Sequence, residues 1–255
     1  MKTMLDVDER HWWYRGRRRV IRAELDKLPL PPRARVLDAG CGSGRTLEEL
    51  VDYGEVSGIE LDAQALEVAR SRGIGHVQMG RLEELPWPDA EFDLITCLDV
   101  IEHTPDDRVA LRELRRVCDA GGWLLVTVPA YPALWSLHDD ANHHYRRYGR
   151  RMLCAAAIDA GWRVRRMTSF NSLLLAPAAV VRIAQRRRPR SDYRPEIRLG
   201  PAWLNAVLER PLRLEARWLA QGRTLPAGLS LMAVLENPGR DDAGPGARNG
   251  PGPGG

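Results

Sequence analysis

The sequence predicts an α/β fold: a doubly wound, mostly parallel seven-stranded sheet with helices on both faces, an antiparallel last strand and a helical insertion before it. Three observations carry that expectation. From residue 34 onward, short apolar runs alternate with segments of helical periodicity, the pattern of strands buried on both faces and joined by crossover helices. The first of these runs ends in a glycine-rich turn that opens a helix. At 255 residues, with 44% hydrophobic and 28% charged side chains, the chain has the length of one such domain with additions and the composition of a folded protein.

Residues 10–28 read as a basic, aromatic-rich helix stopped by the proline cluster at 28–33. ARVLDAG (34–40) is the first strand, and Leu47, Leu50 and Val51 place a helix over 43–53. VSGIE (56–60) is the second strand. Asp62 then caps a helix reaching about Arg72, with Ala65, Leu66 and Ala69 on one face. HVQMG (76–80), FDLITCL (92–98) and WLLVTV (123–128) are strands three to five, and Asp106 to Val117 is the helix between the last two. The alternation then breaks. A loop from Pro129 to Gly149 leads to a helix at about 150–160, WRVRRMTSF (162–170) is the sixth strand and LSLMAVLE (229–236) the seventh. The 58 residues between them, 171–228, hold two helix-like blocks, 171–188 and 201–221, where a hairpin needs only a few residues. The chain thus divides into an N-terminal helical lid (1–33), a main domain (34–237) carrying the insertion at 171–228, and a tail (238–255). Eleven of the tail's eighteen residues are Gly or Pro, which predicts disorder.

Cys41, Cys97, Cys118 and Cys154 are scattered, with no C-x-x-C pair and no metal-like spacing alongside the six histidines, so no disulfide framework and no metal site is expected. That favours a reducing, cytoplasmic setting. The first residues carry acids where a signal peptide is apolar, and the longest apolar run, 173–181, is broken by Pro177, so neither secretion nor a membrane span is expected. The net charge of +4 is uneven: 145–198 holds fourteen arginines against Asp159, Asp192 and Glu196, +11 in all, leaving −7 elsewhere. A GC-rich coding sequence and an anion-facing surface both account for that excess.

The segment that carries chemistry is Val36-Leu37-Asp38-Ala39-Gly40-Cys41-Gly42-Ser43-Gly44. Its glycines let the backbone turn sharply after a strand and approach a ligand, and the N–H groups of the following helix favour an anion. The dinucleotide fingerprint spaces its glycines G-x-G-x-x-G, whereas this turn reads G-x-G-x-G behind Asp38, a carboxylate that opposes a pyrophosphate and suits an ammonium group. Twenty residues after Gly40, Glu60 ends the second strand, where an acidic side chain accepts hydrogen bonds from both hydroxyls of a ribose. An adenosine with an amino-acid tail and no pyrophosphate meets both requirements.

These residues resemble the class I S-adenosylmethionine-dependent methyltransferases, a Rossmann-like family, and in particular its small-molecule and ubiquinone-biosynthesis-like branch. Residues 38–44 match the family's first motif, D-x-G-C-G-x-G, and Gly58 to Asp62 its second. Gly80 to Pro86 is similar to its G-D-A-x-x-L-P segment, and Phe92 to His103 to its fourth-strand block ending in E-H. The resemblance covers Arg35 to about Gly161. It implies that Asp38, Gly40, Cys41, Gly42 and Gly44 hold the methionine moiety, Glu60 and Leu61 the ribose side, the Leu82 backbone the adenine amine, and Leu98 with Asp99 the face of the cofactor. His103 falls near the sulfonium or serves as a helix-start residue satisfied by its own loop. One departure stands out: the family's Asp beside the adenine falls on Arg81, which leaves that contact to backbone or to Glu83. In such enzymes a leading helix often covers the cofactor and pairs an Arg with its carboxylate, here Arg15 or Arg17. The alternative is that Trp12 and Trp13 pack on the sheet and the arginines are solvated.

The implied reaction moves a methyl group to an oxygen or nitrogen of a small-molecule or lipid-linked acceptor. An amine or phenol needs chiefly positioning, whereas an alcohol or carbon acid also needs a base. Candidate bases sit in the loop after the fifth strand: His138, Asp139, His143, His144 and Tyr145, with Asp139 and His143 four apart and able to share a helical face. The apolar stretch Phe170 to Ile183 running into Arg182, Arg186, Arg187, Arg188 and Arg190 admits peripheral membrane contact. Pro177 and the wide apolar spread favour instead inserted helices that pack as a substrate lid. Nucleic acid is disfavoured, because Leu98 to Ile101 stands where amino-directed nucleic-acid methyltransferases carry N-P-P-Y, and the basic stretch lacks an aromatic platform. The rival readings are an RNA methyltransferase, an NAD-dependent oxidoreductase and a cofactor-binding protein without activity. Oligomeric state is not legible.

Overall fold

A computed structural model describes residues 10–185 and 201–239. Seven strands form one sheet in the order β3-β2-β1-β4-β5-β7-β6. They are β1 (Ala34–Ala39), β2 (Gly54–Glu60), β3 (His76–Met79), β4 (Phe92–Leu98), β5 (Cys118–Pro129), β6 (Arg163–Phe170) and β7 (Ser230–Glu236). The first five run parallel and the last is antiparallel, as the sequence predicts; β7 lies between β5 and β6. The helices are α1 (Trp12–Leu25), α2 (Leu47–Leu50), α3 (Ala63–Ser71), α4 (Asp107–Val117), α5 (Leu137–Ala141), α6 (Arg150–Asp159), α7 (Leu175–Gln185) and α8 (Ala202–Ala220).

Strand alternation splits the core in two. Leu37, Ala39, Ile95 and Val126 face α4 and α6, through Leu111, Leu114 and Leu153. Val36, Leu94 and Leu125 face the other way, toward Leu47, Leu66 and Ala69 and toward Val20 of α1 and Leu212 of α8. Asp62 and Asp106 cap α3 and α4 by accepting from the first-turn amides.

Three sequence expectations need correction. The helix expected over 43–53 is reduced to Leu47–Leu50, because Gly42 and Gly44 adopt positive φ and keep the backbone non-helical until the turn is complete. β5 starts at Cys118 rather than 123: Gly121 N donates to Asn237 O and Asn237 N to Gly122 O, so the residue after β7 extends the ladder past the two glycines. Pro177 interrupts nothing. It falls in the first turn of α7, where its missing N–H leaves no bond unmade, and it is exposed together with Leu173 and Val180 rather than packed in a lid. The other inserted helix packs on α1, a contact the sequence does not suggest: Asn205 Oδ1 accepts from Trp12 N, Glu209 pairs with Arg15 and Arg19, and Leu212 lies over Gly16. Residues 186–200, within the insertion, and the tail beyond Gly239 lie outside the described residues.

Candidate active site

Three cavities open at the carboxyl ends of the parallel strands, and Leu98, the last residue of β4, lines all three. The first, about 590 Å³, is bounded by Gly40, Glu60, Leu61, Leu82, Asp99 and His103. The second, about 230 Å³, lies between the glycine turn and α1, against Tyr14, Arg17, Asp38, Gly42 and Ser43. The third, about 530 Å³, runs under Trp12 and Trp13 to Glu102, His138, His144 and Asn171. A further cavity of about 710 Å³ lies on the opposite rim, among Asp89, Arg112 and Asp119.

The glycine turn is shaped by close approach. Gly40 has φ 83°, and a Cβ there would stand 2.5 Å from Val100 Cγ2. Gly42 has φ 54° and open space beside its Cα, so the turn leaves room on the cavity side. Cys41 is buried behind it, and burial pushes its thiol up. Asp38 is 2% exposed and accepts from Thr96 Oγ1 at 2.7 Å. Burial pushes its carboxyl up to about 6, opposed by Thr96 and Arg17 and reinforced by Glu60. Glu60 has structural work as well. Its Oε2 accepts from Gly42 N and its Oε1 from Leu61 N and Asp62 N, all at 2.8 Å, so it ties the end of β2 to the glycine turn while still bounding the first cavity.

Of the two α1 arginines, the structure separates the roles. Arg15 turns to Glu209 of α8, whereas Arg17 reaches the cavities, with Nη2 2.7 Å from Asp99 Oδ2. Its Nε is buried with no hydrogen-bond partner among the described residues. Asp99 holds φ 58°, a left-handed conformation that turns the chain as β4 ends.

The loop after β5 is organised by Asp139, not as the sequence spacing suggests. Its carboxylate is fully buried, with Oδ1 2.9 Å from His144 Nδ1 and 2.7 Å from Arg147 Nε, and Oδ2 accepting from Ser136 N. Burial pushes this carboxyl up, but the bonds from His144, Arg147 and Ser136 outweigh it and hold it well below the usual carboxylate range. His143, the expected partner four residues on, is not there. The short α5 ends at Ala141, His143 takes φ 56° and faces the first cavity instead, and His144 swings onto Asp139. His138 bounds the third cavity, its ring 6.5 Å from that of His144. Tyr145 joins none of the three cavities: its side chain is exposed under Arg146, and its N–H donates to Glu102 O.

Sequence reasoning missed Glu102, Arg147 and Asn142. Glu102 is 1% exposed, its Oε2 has no hydrogen-bond partner among the described residues, and burial with Asp99 nearby holds its carboxyl well above the ordinary value. The E-H pair was visible in the sequence, but nothing there shows that the His144 ring would meet His103, edge to face at 4.7 Å. Glu102, His103 and His144 bring donor atoms within 4.8 Å of one another, a grouping that sequence spacing does not reveal. Burial, with His144 beside it, lowers the pKa of His103 and favours its neutral ring.

A methyltransferase domain family matches residues 37–126. A protein of Encephalitozoon cuniculi named as a methyltransferase is 32% identical over 151 residues, which cover 51% of this chain and 70% of that one. The chain belongs to the S-adenosylmethionine-dependent methyltransferases. A Mycobacterium tuberculosis protein named for that cofactor is 32% identical over 165 residues, 63% of this chain and 59% of its own. The ubiquinone biosynthesis O-methyltransferase of Bordetella avium is 34% identical over 97 residues, 35% of this chain and 40% of its own. This methyltransferase thus spans between two fifths and seven tenths of those relatives. Its fold is shared with a Haloferax volcanii methyltransferase solved with the activator Trm112, at 19% identity and TM-score 0.59, covering 91% and 92% of the two chains. Membership removes the NAD-dependent oxidoreductase alternative. The methyltransferase's cofactor, S-adenosylmethionine, suits the donor set: the second cavity offers a carboxylate at Asp38 and an orphaned guanidinium Nε at Arg17, complementary to an α-amino group and a carboxylate.

Proposed function

We propose that this chain transfers a methyl group to an oxygen or nitrogen of a small-molecule or lipid-linked acceptor held in the third cavity. The observation that carries the reading is the position of Leu98, which lines all three cavities: the two that would take an adenosine and an amino-acid tail, and a third bounded by His144, whose Nδ1 lies against Asp139. Bound S-adenosylmethionine supplies an electrophilic methyl group on a sulfonium. Asp38, Gly40, Cys41, Gly42 and Gly44 would hold the methionine moiety with Arg17. Glu60 and Leu61 would hold the ribose side, Leu82 the adenine, and Leu98, Asp99 and His103 the face toward the acceptor.

His144 is the base in this reading. An ionised Asp139 only accepts, so the proton on His144 lies on Nδ1 and the Nε2 lone pair is free to take an acceptor's proton. Arg147 positions Asp139, and α1 with Trp12 and Trp13 roofs the cavity and limits water access, which makes the N-terminal helix a lid. His138 and His143 flank this pair without touching Asp139, and Tyr145 has no place in it. The O-methyltransferase name of the Bordetella avium relative supports an oxygen acceptor, and the free cysteines support a cytoplasmic setting. Among the described residues no helix is long and apolar enough to cross a membrane.

His144→Gln tests the assignment. Methyl transfer from labelled cofactor into an extract should fall by roughly 10²–10⁴-fold with cofactor affinity unchanged. Transfer at the wild-type rate removes His144 as the base, and absence of transfer by the wild-type chain favours a binding protein without activity.

A further inference from the structure

Helix α8 wears its polarity inside out. Its two acids, Glu209 and Glu215, are 3% and 4% exposed, whereas Trp203, Val207, Leu214 and Trp218 are 68%, 44%, 56% and 43% exposed. At about 100° per residue these four fall within an arc of about 60°, along about 22 Å of helix. Arg210, Arg213 and Arg217 are exposed along one flank of that arc, and no acid shares the face. Both buried acids have internal work. Glu209 pairs with Arg15, Arg19 and Arg213, and Glu215 accepts the N–H groups of Asn171, Ser172 and Leu173. That second contact joins α8 to the start of α7, where Leu173, Ala176, Pro177 and Val180 form a second exposed apolar stripe at helical spacing.

We infer that this face, Leu173 to Val180 with the outer side of α8, seats on an anionic phospholipid surface. Tryptophan and leucine side chains along one arc enter the boundary between headgroups and acyl chains, while arginines beside them reach up to phosphates. A second copy of the chain fits less well, since a two-fold contact would set these arginines against one another. The face also adjoins the acceptor cavity. Asn171 bounds that cavity and Leu173, two residues on, begins the apolar stripe, so an acceptor anchored in the bilayer would meet the site at its mouth. This last step rests on the proposed acceptor class, whereas the surface contact itself does not.

The test is co-sedimentation of the full chain with vesicles of phosphatidylcholine alone and of phosphatidylcholine with phosphatidylglycerol, at low and high salt. Binding is expected to the anionic vesicles only, weakening with salt. It should fall at least tenfold in Trp203→Ser/Leu214→Ser and in Arg210→Glu/Arg217→Glu, with cofactor binding unchanged in both. No binding to anionic vesicles by folded protein overturns the inference. So does binding that the two double variants leave intact, or a dimer that Trp203→Ser/Leu214→Ser dissolves. Cofactor titration on the same preparations keeps the outcome separate from the methyltransferase reading.

Discussion

Asp38 is where pH enters the cofactor site. Its folded-state pKa of about 6 lies above the ordinary carboxylate value, so the empty protein holds it protonated below that pH. An ammonium group beside it favours the ionised form. Cofactor affinity should therefore fall by up to about tenfold per unit as pH drops below 6, and Asp38→Asn should flatten that profile while weakening binding at pH 7. Calorimetric titrations from pH 5 to 8 check it; a flat wild-type profile removes Asp38 from the ammonium contact. Arg17→Ala should weaken cofactor binding by roughly 10- to 100-fold, the worth of a charged hydrogen bond, with α1 still folded by circular dichroism. At this scale the sequence was most legible in the glycine turn and least in the loop after β5. The Asp139–His143 pairing followed from helical spacing, and it failed because α5 ends after one turn and His143 adopts a left-handed conformation that hands the contact to His144. Glu102 and Arg147 were invisible as site residues because their roles come from burial against other elements.

Among the elements, α1 and α8 are held by close approach as much as by charge. A Cβ on Gly16 would lie 2.4 Å from Leu212 Cδ1 and 2.7 Å from Leu212 Cβ. Gly16→Ala should cost about 1–3 kcal/mol through overpacking, more than the roughly 1 kcal/mol that alanine contributes to an exposed helix. A urea midpoint lower than wild type is expected, and an increase would mean that the two helices separate readily. In the loop after β5, Asp139→Asn leaves Arg147 buried without its counter-charge, and a loss of about 3–5 kcal/mol is expected by the same measurement. Strands were readable from apolar runs alone, except where a partner decides the boundary: β5 begins five residues early because Asn237 completes its ladder. Likewise, the glycines that mark the cofactor turn are what shorten the helix after it. The inserted helices showed the limit of pattern reading, since Pro177 falls in the first turn of α7 and Pro211 lies inside α8 without ending it.

Across the whole molecule, the strand order does the positioning. Because β1 lies between β2 and β4, the glycine turn, Glu60 and Leu98 come from three adjacent strand ends and open on one rim. The insertion before β7 then returns α8 to clamp the N-terminal helix over that rim, an arrangement that motif spacing gives no hint of. The charge asymmetry is partly absorbed inside the fold. Arg147 and Arg166 pair with buried Asp139 and Glu24, while the three arginines of α8 stay at the surface. The cofactor and acceptor roles depend on the glycine turn and Glu60 receiving an aminoacyl adenosine. Calorimetry with S-adenosylmethionine and with its demethylated product addresses that directly. The account predicts heat from both at one site per chain, reduced in Asp38→Asn and Arg17→Ala; no heat from either, with tight binding of a nicotinamide dinucleotide, would contradict it.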